Sequence, residues 1–534
     1  MKRTAKAAAL SGLLASALLL SACGSSGGAG TAASGAGGGE PAQGGTVRAA
    51  IAGDPTTLDM GLNTGSLTIV PGINIFENLF AMDESFVPQP MLAESYEVSE
   101  DSRIYTIRLR EGVTFHNGEP MEAEDVVASL ERWQQISATG TAAAAAIESV
   151  TADDASTVTI QLTQPRYSLL ADLAGAIQGA IIIPAEVAEA AGESPIPTEE
   201  IIGTGPFEVE SYTTGTGIKL VRYEDYAPSE AESSGLSGEK TAYVDAIEYS
   251  FVADPNQQLN GLKAGQYDWA QSISADQYEP LQNDPQLDVF TVKSSLIATV
   301  LLNHNENSAF SSVEARRALN KAIDKKAMAQ ASFGPEDLWS PLNGSFALPE
   351  NAPMHSEAGS EVYEEHDPEA AAAEFAELGI DRPIRIFTSQ TYPKYYQMAV
   401  VLQSVLEEAG LEVDVQIYDF PTMISKLTEE PESWDISMTA FSGAVSAPSQ
   451  VLFLSPSWPG EYSSETMDGL MADYSASTSE EEARAAVDAI HEEIWNDLPA
   501  ISIAPNRTLG TKSKKLQDMS DFSSGIFWNA HLGE

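Results

Sequence analysis

Cys23 is the only cysteine in 534 residues, so the chain can form neither an internal disulfide nor a cysteine-cluster metal site. Its thiol needs a chemistry of its own. The other candidate groups are scattered. His491 opens "HEEIW", which begins as the zinc-binding H-E-x-x-H pattern does, but Trp495 stands where the second ligand belongs. The spacing of Val487, Ile490, Ile494 and Leu498 predicts an amphipathic helix here, and the plain reading of His491 is a solvated helix face. "EEHDPE" around His366 could attract a divalent cation; an exposed loop and helix cap is the simpler reading. Carboxylate pairs such as Asp153 and Asp154 are commonplace among 78 acidic residues, and nothing around them marks a glycosidase pair. Residues 24–28, "GSSGG", match the G-x-S-x-G nucleophile elbow without the strand and helix that the elbow requires. A secreted hydrolase is thus a rival class with no catalytic cluster to support it.

The flanks of Cys23 explain it. Lys2, Arg3 and Lys6 precede an apolar run over 7–20, which is signal-peptide anatomy and short for a membrane span. Leu20-Ser21-Ala22-Cys23 then resembles the bacterial lipobox, whose cysteine receives a diacylglycerol after cleavage. The resemblance implies a signal peptide over 1–22 and a lipid anchor on Cys23. Residues 23–44 are almost all Gly, Ser, Ala and Thr, too poor in apolar surface to fold. As a flexible tether of ~20 residues they reach roughly 25 Å r.m.s.. No later run of about 20 apolar residues follows.

Lys plus Arg number 28 against 78 acids, a net charge of −50 that excludes a basic nucleic-acid face. Hydrophobic residues make up 43%, enough for real cores, and the length suits two or three domains. From Gly45 onward strands and helices alternate. "TVRAAI", "YTIRLR", "STVTIQL" and "GIKLVRY" read as strands. Residues 121–136 and 312–331 read as helices, the second as one long element. Asp367-Pro368-Glu369 is a helix start. "PIRIFTS", "YYQMAVVLQSVLEEAG" and "LEVDVQIYDF" read strand, helix, strand, a parallel βαβ unit.

Several blocks carry a resemblance. They are "PTTLDMGLNT" (55–64), the long block 88–133 with "YTIRLR" and "GVTFHNGEP", "GTGPFEVESY" (203–212), "GLKAGQYDWAQSI" (261–273) and "LLNHNENSAFSSVEARRALNKAID" (301–324). In this order they resemble the large extracytoplasmic solute-binding proteins of ABC importers, the dipeptide, oligopeptide and nickel-binding family. Met60 stands where that family usually has proline.

The resemblance implies an α/β, two-lobe periplasmic-binding-protein-like fold of class II, with an extra α/β domain inserted in the first lobe. Lobe I would take residues 45–80, 200–300 and 505–534, the extra domain 81–199, and lobe II 301–504. It implies a carrier, not an enzyme: a monomer without cofactor, metal or nucleic acid, anchored only by its lipid, which closes on a solute and presents it to permease subunits. A binding protein serving a sensor fits the chain equally. His116 would be a structural turn residue. The cleft would be lined by Asn63, Thr64 and Gly65 after the first strand, by Ser389, Thr391 and Tyr392 after "PIRIFTS", and by Phe441, Ser442, Gly443 and Ala444. Strand C-terminal ends are where open α/β sheets bind ligands. Phe441 and Trp528 could equally be core. In peptide-binding relatives an aspartate after the last of these strands meets the peptide's α-ammonium; aligned on Pro448, that position is Ala444. Residues 441–450 contain no acid at all. Glu77 in "FENLF" could supply one from lobe I. The cargo is therefore a peptide-like solute, blocked or modified, or a non-peptide such as an oligosaccharide.

Overall fold

A computed structural model describes residues 41–293 and 295–533. Cys23, the segment 1–22 and nearly all of 23–44 lie outside the described residues. The fold is α/β, built on three main sheets. A seven-stranded sheet runs in the order Leu287–Thr291, Leu509–Ser513, Trp269–Ala270, Thr46–Ile51, Ala246–Phe251, Gly217–Arg222, Phe207–Thr213. "TVRAAI" is central, parallel to both of its neighbours. A central strand is covered on both faces, which is why its burial becomes continuous over residues 49–51.

A five-stranded sheet runs Val413–Tyr418, Ile384–Ser389, Ile436–Ser442, Leu296–Leu302, Ala500–Asn506. The βαβ unit read from sequence is present, with Ile384 paired to Val413 in parallel across the helix Pro393–Glu408. Asp367 caps its helix as expected, accepting from Ala370 N at 2.9 Å. A four-stranded antiparallel sheet (Ala93–Val98, Ile104–Leu109, Thr157–Leu162, Ile147–Asp154) shares one hydrophobic core with the seven-stranded sheet. The five-stranded sheet has a core of its own.

The chain passes between the large sheets twice, before Leu296 and after Asn506. The two connections lie side by side: Val292 N donates to Thr508 O at 2.9 Å. Leu296–Leu302 pairs wholly within the five-stranded sheet, so the first crossing lies a few residues earlier than position 300.

The single helix expected over 312–331 is two, Val313–Ala322 and Lys325–Phe333. Asp324 Oδ1 accepts from Ala327 N at 2.8 Å and caps the second, which forces Ile323 out of helical geometry. The solvated-face reading of His491 is also corrected. The helix Glu480–Asp497 buries His491 completely. Its ring stacks on Phe346 at 4.1 Å and its Nε2 lies 3.1 Å from Ser345 Oγ. The apolar stripe of this helix is wide enough to take in the residue beside Ile490.

Candidate functional site

The strands Ile384–Ser389 and Ile436–Ser442 run parallel, with Phe387 beside Ser437, so their C-terminal ends open on one edge of the five-stranded sheet. The loop after the first is fixed locally. Ser389 is buried, and its Oγ accepts from Thr391 N at 3.2 Å. Thr391 Oγ1 accepts from Phe420 N at 3.4 Å. Tyr392 is 46% exposed and stands edge-on to Phe420, ring centres 4.9 Å apart.

The second loop crosses between the two cores. Phe441 belongs to the core of its own sheet, packed against Phe453 and Trp458. Ser442 is exposed, with Oγ accepting from Ala444 N at 3.2 Å. Gly443 is buried: a Cβ here would stand 2.7 Å from Leu348 Cγ, a gap only glycine tolerates. Its carbonyl accepts from Leu348 N at 3.0 Å. Ala444 packs against the other core.

Asn63, Thr64 and Gly65 lie on the seven-stranded side, in the loop before the helix Ser66–Gly72. Asn63 is occupied within its own loop, accepting from Gly65 N at 2.7 Å and donating to Thr56 Oγ1 at 2.9 Å. Asp59 anchors that loop: it is fully buried and pairs with Arg132 at 2.7 Å. The structure thus sets residues 389–392 and 441–444 on one sheet edge. Among the described residues no hydrogen bond joins residues 63–65 to either loop.

Glu77 is not free to meet a ligand. Its carboxylate accepts from Lys240 Nζ at 3.1 Å, Tyr226 OH at 2.9 Å and Thr204 Oγ1 at 3.1 Å. Lys240 also lies 4.6 Å from the centre of the Trp528 ring, a cation–π contact. This cluster borders a cavity of about 30 Å³, room for a water or two, lined also by Met60, Phe76 and Met91. Trp528 is 2% exposed and also lines a cavity of about 470 Å³ bordered by Glu84, Phe290, Lys512 and Asp521. Neither Lys240 nor the pairing itself was visible beforehand, because 163 residues separate the partners.

The histidines offer no exposed general base at the strand ends. Burial pulls His116, His304 and His491 down to about 4. His116 is a clip between turns: its Nδ1 accepts from Gly203 N at 3.2 Å, and its Nε2 donates to Gly205 O at 3.0 Å. That accounts for both "FHNGEP" and "GTGPF". His366 is exposed beside the Asp367 cap. Asp153 and Asp154 are exposed and accept from neighbouring hydroxyls, Asp153 from Thr159 Oγ1 at 2.7 Å and Asp154 from Ser156 Oγ at 3.0 Å.

Comparison with known proteins returns a consistent picture. The family model for bacterial extracellular solute-binding proteins, family 5 (middle), matches residues 87–462. A probable peptide ABC transporter periplasmic-binding protein of Sinorhizobium fredii, y4tO, is 25% identical over 502 residues, 91% of this chain and 93% of that one. The glutathione-binding protein GsiB of Escherichia coli K12 is 23% identical over 504 residues, 88% of this chain and 91% of that one. The crystal structure of the ABC transporter substrate-binding protein CtaP of Listeria monocytogenes superposes with a TM-score of 0.80 at 21% identity, covering 92% of this chain and 100% of that one.

Proposed function

Because the chain belongs to family 5 of the bacterial extracellular solute-binding proteins, we propose that it captures a peptide-like solute between its two large sheets and hands it to an ABC permease, held to the membrane by a lipid on Cys23. The solute-binding role in an ABC importer is that of the family, and its relatives are binding proteins, not enzymes. The observation that carries the reading is the pairing of the two crossings at Val292 and Thr508. Two sheets with largely separate cores, linked by two adjacent crossings of the chain, can hinge there; the loops 389–392 and 441–444 lie at one end of the five-stranded sheet, and Ala444 packs against the other core. A solute that touches both sides binds the closed state better than the open one. That differential is all that closure requires.

The charges on hand set the cargo. Residues 441–450 hold no acid. Glu77 is matched by Lys240 and Asp172 by Arg166. A peptide's free α-ammonium would find no uncommitted carboxylate among these groups, and an unpaired buried charge costs about 3–5 kcal/mol, several hundredfold or more in affinity. Tyr392 on Phe420 offers an apolar face instead. The cargo is a blocked or modified peptide; the same platform also suits a sugar ring, which keeps an oligosaccharide as the second reading.

Calorimetry against di- to pentapeptides, the same peptides N-acetylated, and an oligosaccharide panel tests this. Acetylation is expected to leave binding unchanged or to strengthen it. Tight binding of the free peptides that disappears on acetylation would overturn it.

A further inference from the structure

A short arm over residues 166–172, which follows the four-stranded sheet, reaches the opposite core. Leu169 is buried in the first core, yet Tyr167 packs against the second. Tyr167 N donates to Ser475 O at 3.1 Å, and its ring stands edge-on to Tyr474 at 5.6 Å. Tyr474 OH donates to Ser446 O at 3.4 Å. Beside them lies Asp172, 1% exposed. Its Oδ2 accepts from Arg166 Nε at 2.8 Å and Ser168 Oγ at 2.9 Å, both within the arm.

Among the described residues, the partners of its Oδ1 all lie across the gap. Ser446 Oγ lies at 3.5 Å and Gln450 Nε2 at 3.4 Å. Those two residues are themselves locked together. Gln450 Oε1 accepts from Ser446 N at 2.9 Å, and Gln450 Nε2 donates to Ser446 Oγ at 2.7 Å. The loop 446–450 is thus one rigid piece, and it continues directly from residues 441–444. A buried carboxylate oxygen demands donors. Here they come from the loop that leads out of the candidate cleft.

We infer that Asp172 is a positioning residue for solute binding: its Oδ1 latches the loop 446–450, fixing residues 441–444 and tying the arm 166–172 to the second core. The role in solute binding rests on the carrier reading above. The latch itself does not, so it can be tested without cargo.

The test is hydrogen exchange by mass spectrometry on the full-length protein without ligand. Gln450→Glu sets two carboxylates face to face. Amides of 444–450 and 474–475 are expected to exchange about tenfold faster or more, while Ile384–Ser389 keeps its protection. Asp172→Asn with Gln450→Glu swaps amide and carboxylate across the gap and is expected to restore slow exchange. A second readout on the same variants is dissociation of the N-acetylated peptide mixture, faster in Gln450→Glu and restored in the double variant. Unchanged exchange in Gln450→Glu, or a double variant no better than the worse single, would overturn the latch. Restored exchange without any peptide binding would leave the latch standing and count against the carrier's cargo instead.

Discussion

Glu77→Ala lowers stability by about 3–5 kcal/mol, because it leaves the Lys240 ammonium buried without its counter-ion. The side chains of Glu77 and Lys240 are 0% and 4% exposed. Bulk solvent is shut out from the pair, and the adjoining cavity of about 30 Å³ has room for no more than a water or two. Tyr226 and Thr204 lose their acceptor in the same step. The Trp528 face remains, but a cation–π contact is worth only ~0.5–2 kcal/mol and does not replace a carboxylate. Removing both charges, as in Glu77→Leu with Lys240→Met, is expected to cost less than Glu77→Ala alone, since a buried pair is dear to break and cheap to replace. Urea unfolding followed by tryptophan fluorescence measures both. A loss below ~1 kcal/mol for Glu77→Ala would mean that water reaches the ammonium.

Cys23→Ser is expected to abolish lipid anchoring at the mature N-terminus. The expectation rests on the lipobox-like Leu20-Ser21-Ala22-Cys23. Among the described residues no helix is long and apolar enough to cross a membrane. A single acyl chain holds a protein to a bilayer only marginally, with an association constant of ~10⁴ M⁻¹, whereas a diacyl group holds it stably. The serine hydroxyl does not take the thioether-linked lipid. Fractionation with mass analysis should find unprocessed precursor or soluble protein in the medium. Cys23→Ser that stays membrane-bound at the mature size would refute the lipid anchor.

What the sequence disclosed was mostly local. The unit at 384–418 was legible because "IRIF" and "VDVQIY" alternate apolar with polar residues and the helix between them carries an apolar stripe. Asp367 declared itself by being followed by Pro and Glu. The break at Ile323 was not legible, because apolar spacing runs on through it and only the Asp324 cap interrupts the helix. The burial of His491 depends on Ser345 and Phe346, roughly 145 residues away, and no periodicity contains that. Asp172 meets Gln450 over a separation of 278 residues, and Glu77 meets Lys240 over 163. Each was one acid among 78 until the fold supplied its partner. The candidate cleft divides in the same way. The strand end at 389–392 follows from position in a parallel unit and the loop 441–444 from the family resemblance, whereas the commitment of Asn63 to its own loop is set by the fold.

Closure on a solute is the central claim, and small-angle X-ray scattering tests it most directly. The protein is measured alone and with saturating di- to pentapeptides, free and N-acetylated. The account expects a smaller radius of gyration with the bound set, accompanied by a rise in stability of RT ln(1 + [L]/Kd), about 2.7 kcal/mol at a hundredfold excess over Kd. A scattering profile that stays unchanged while calorimetry registers saturation would contradict it.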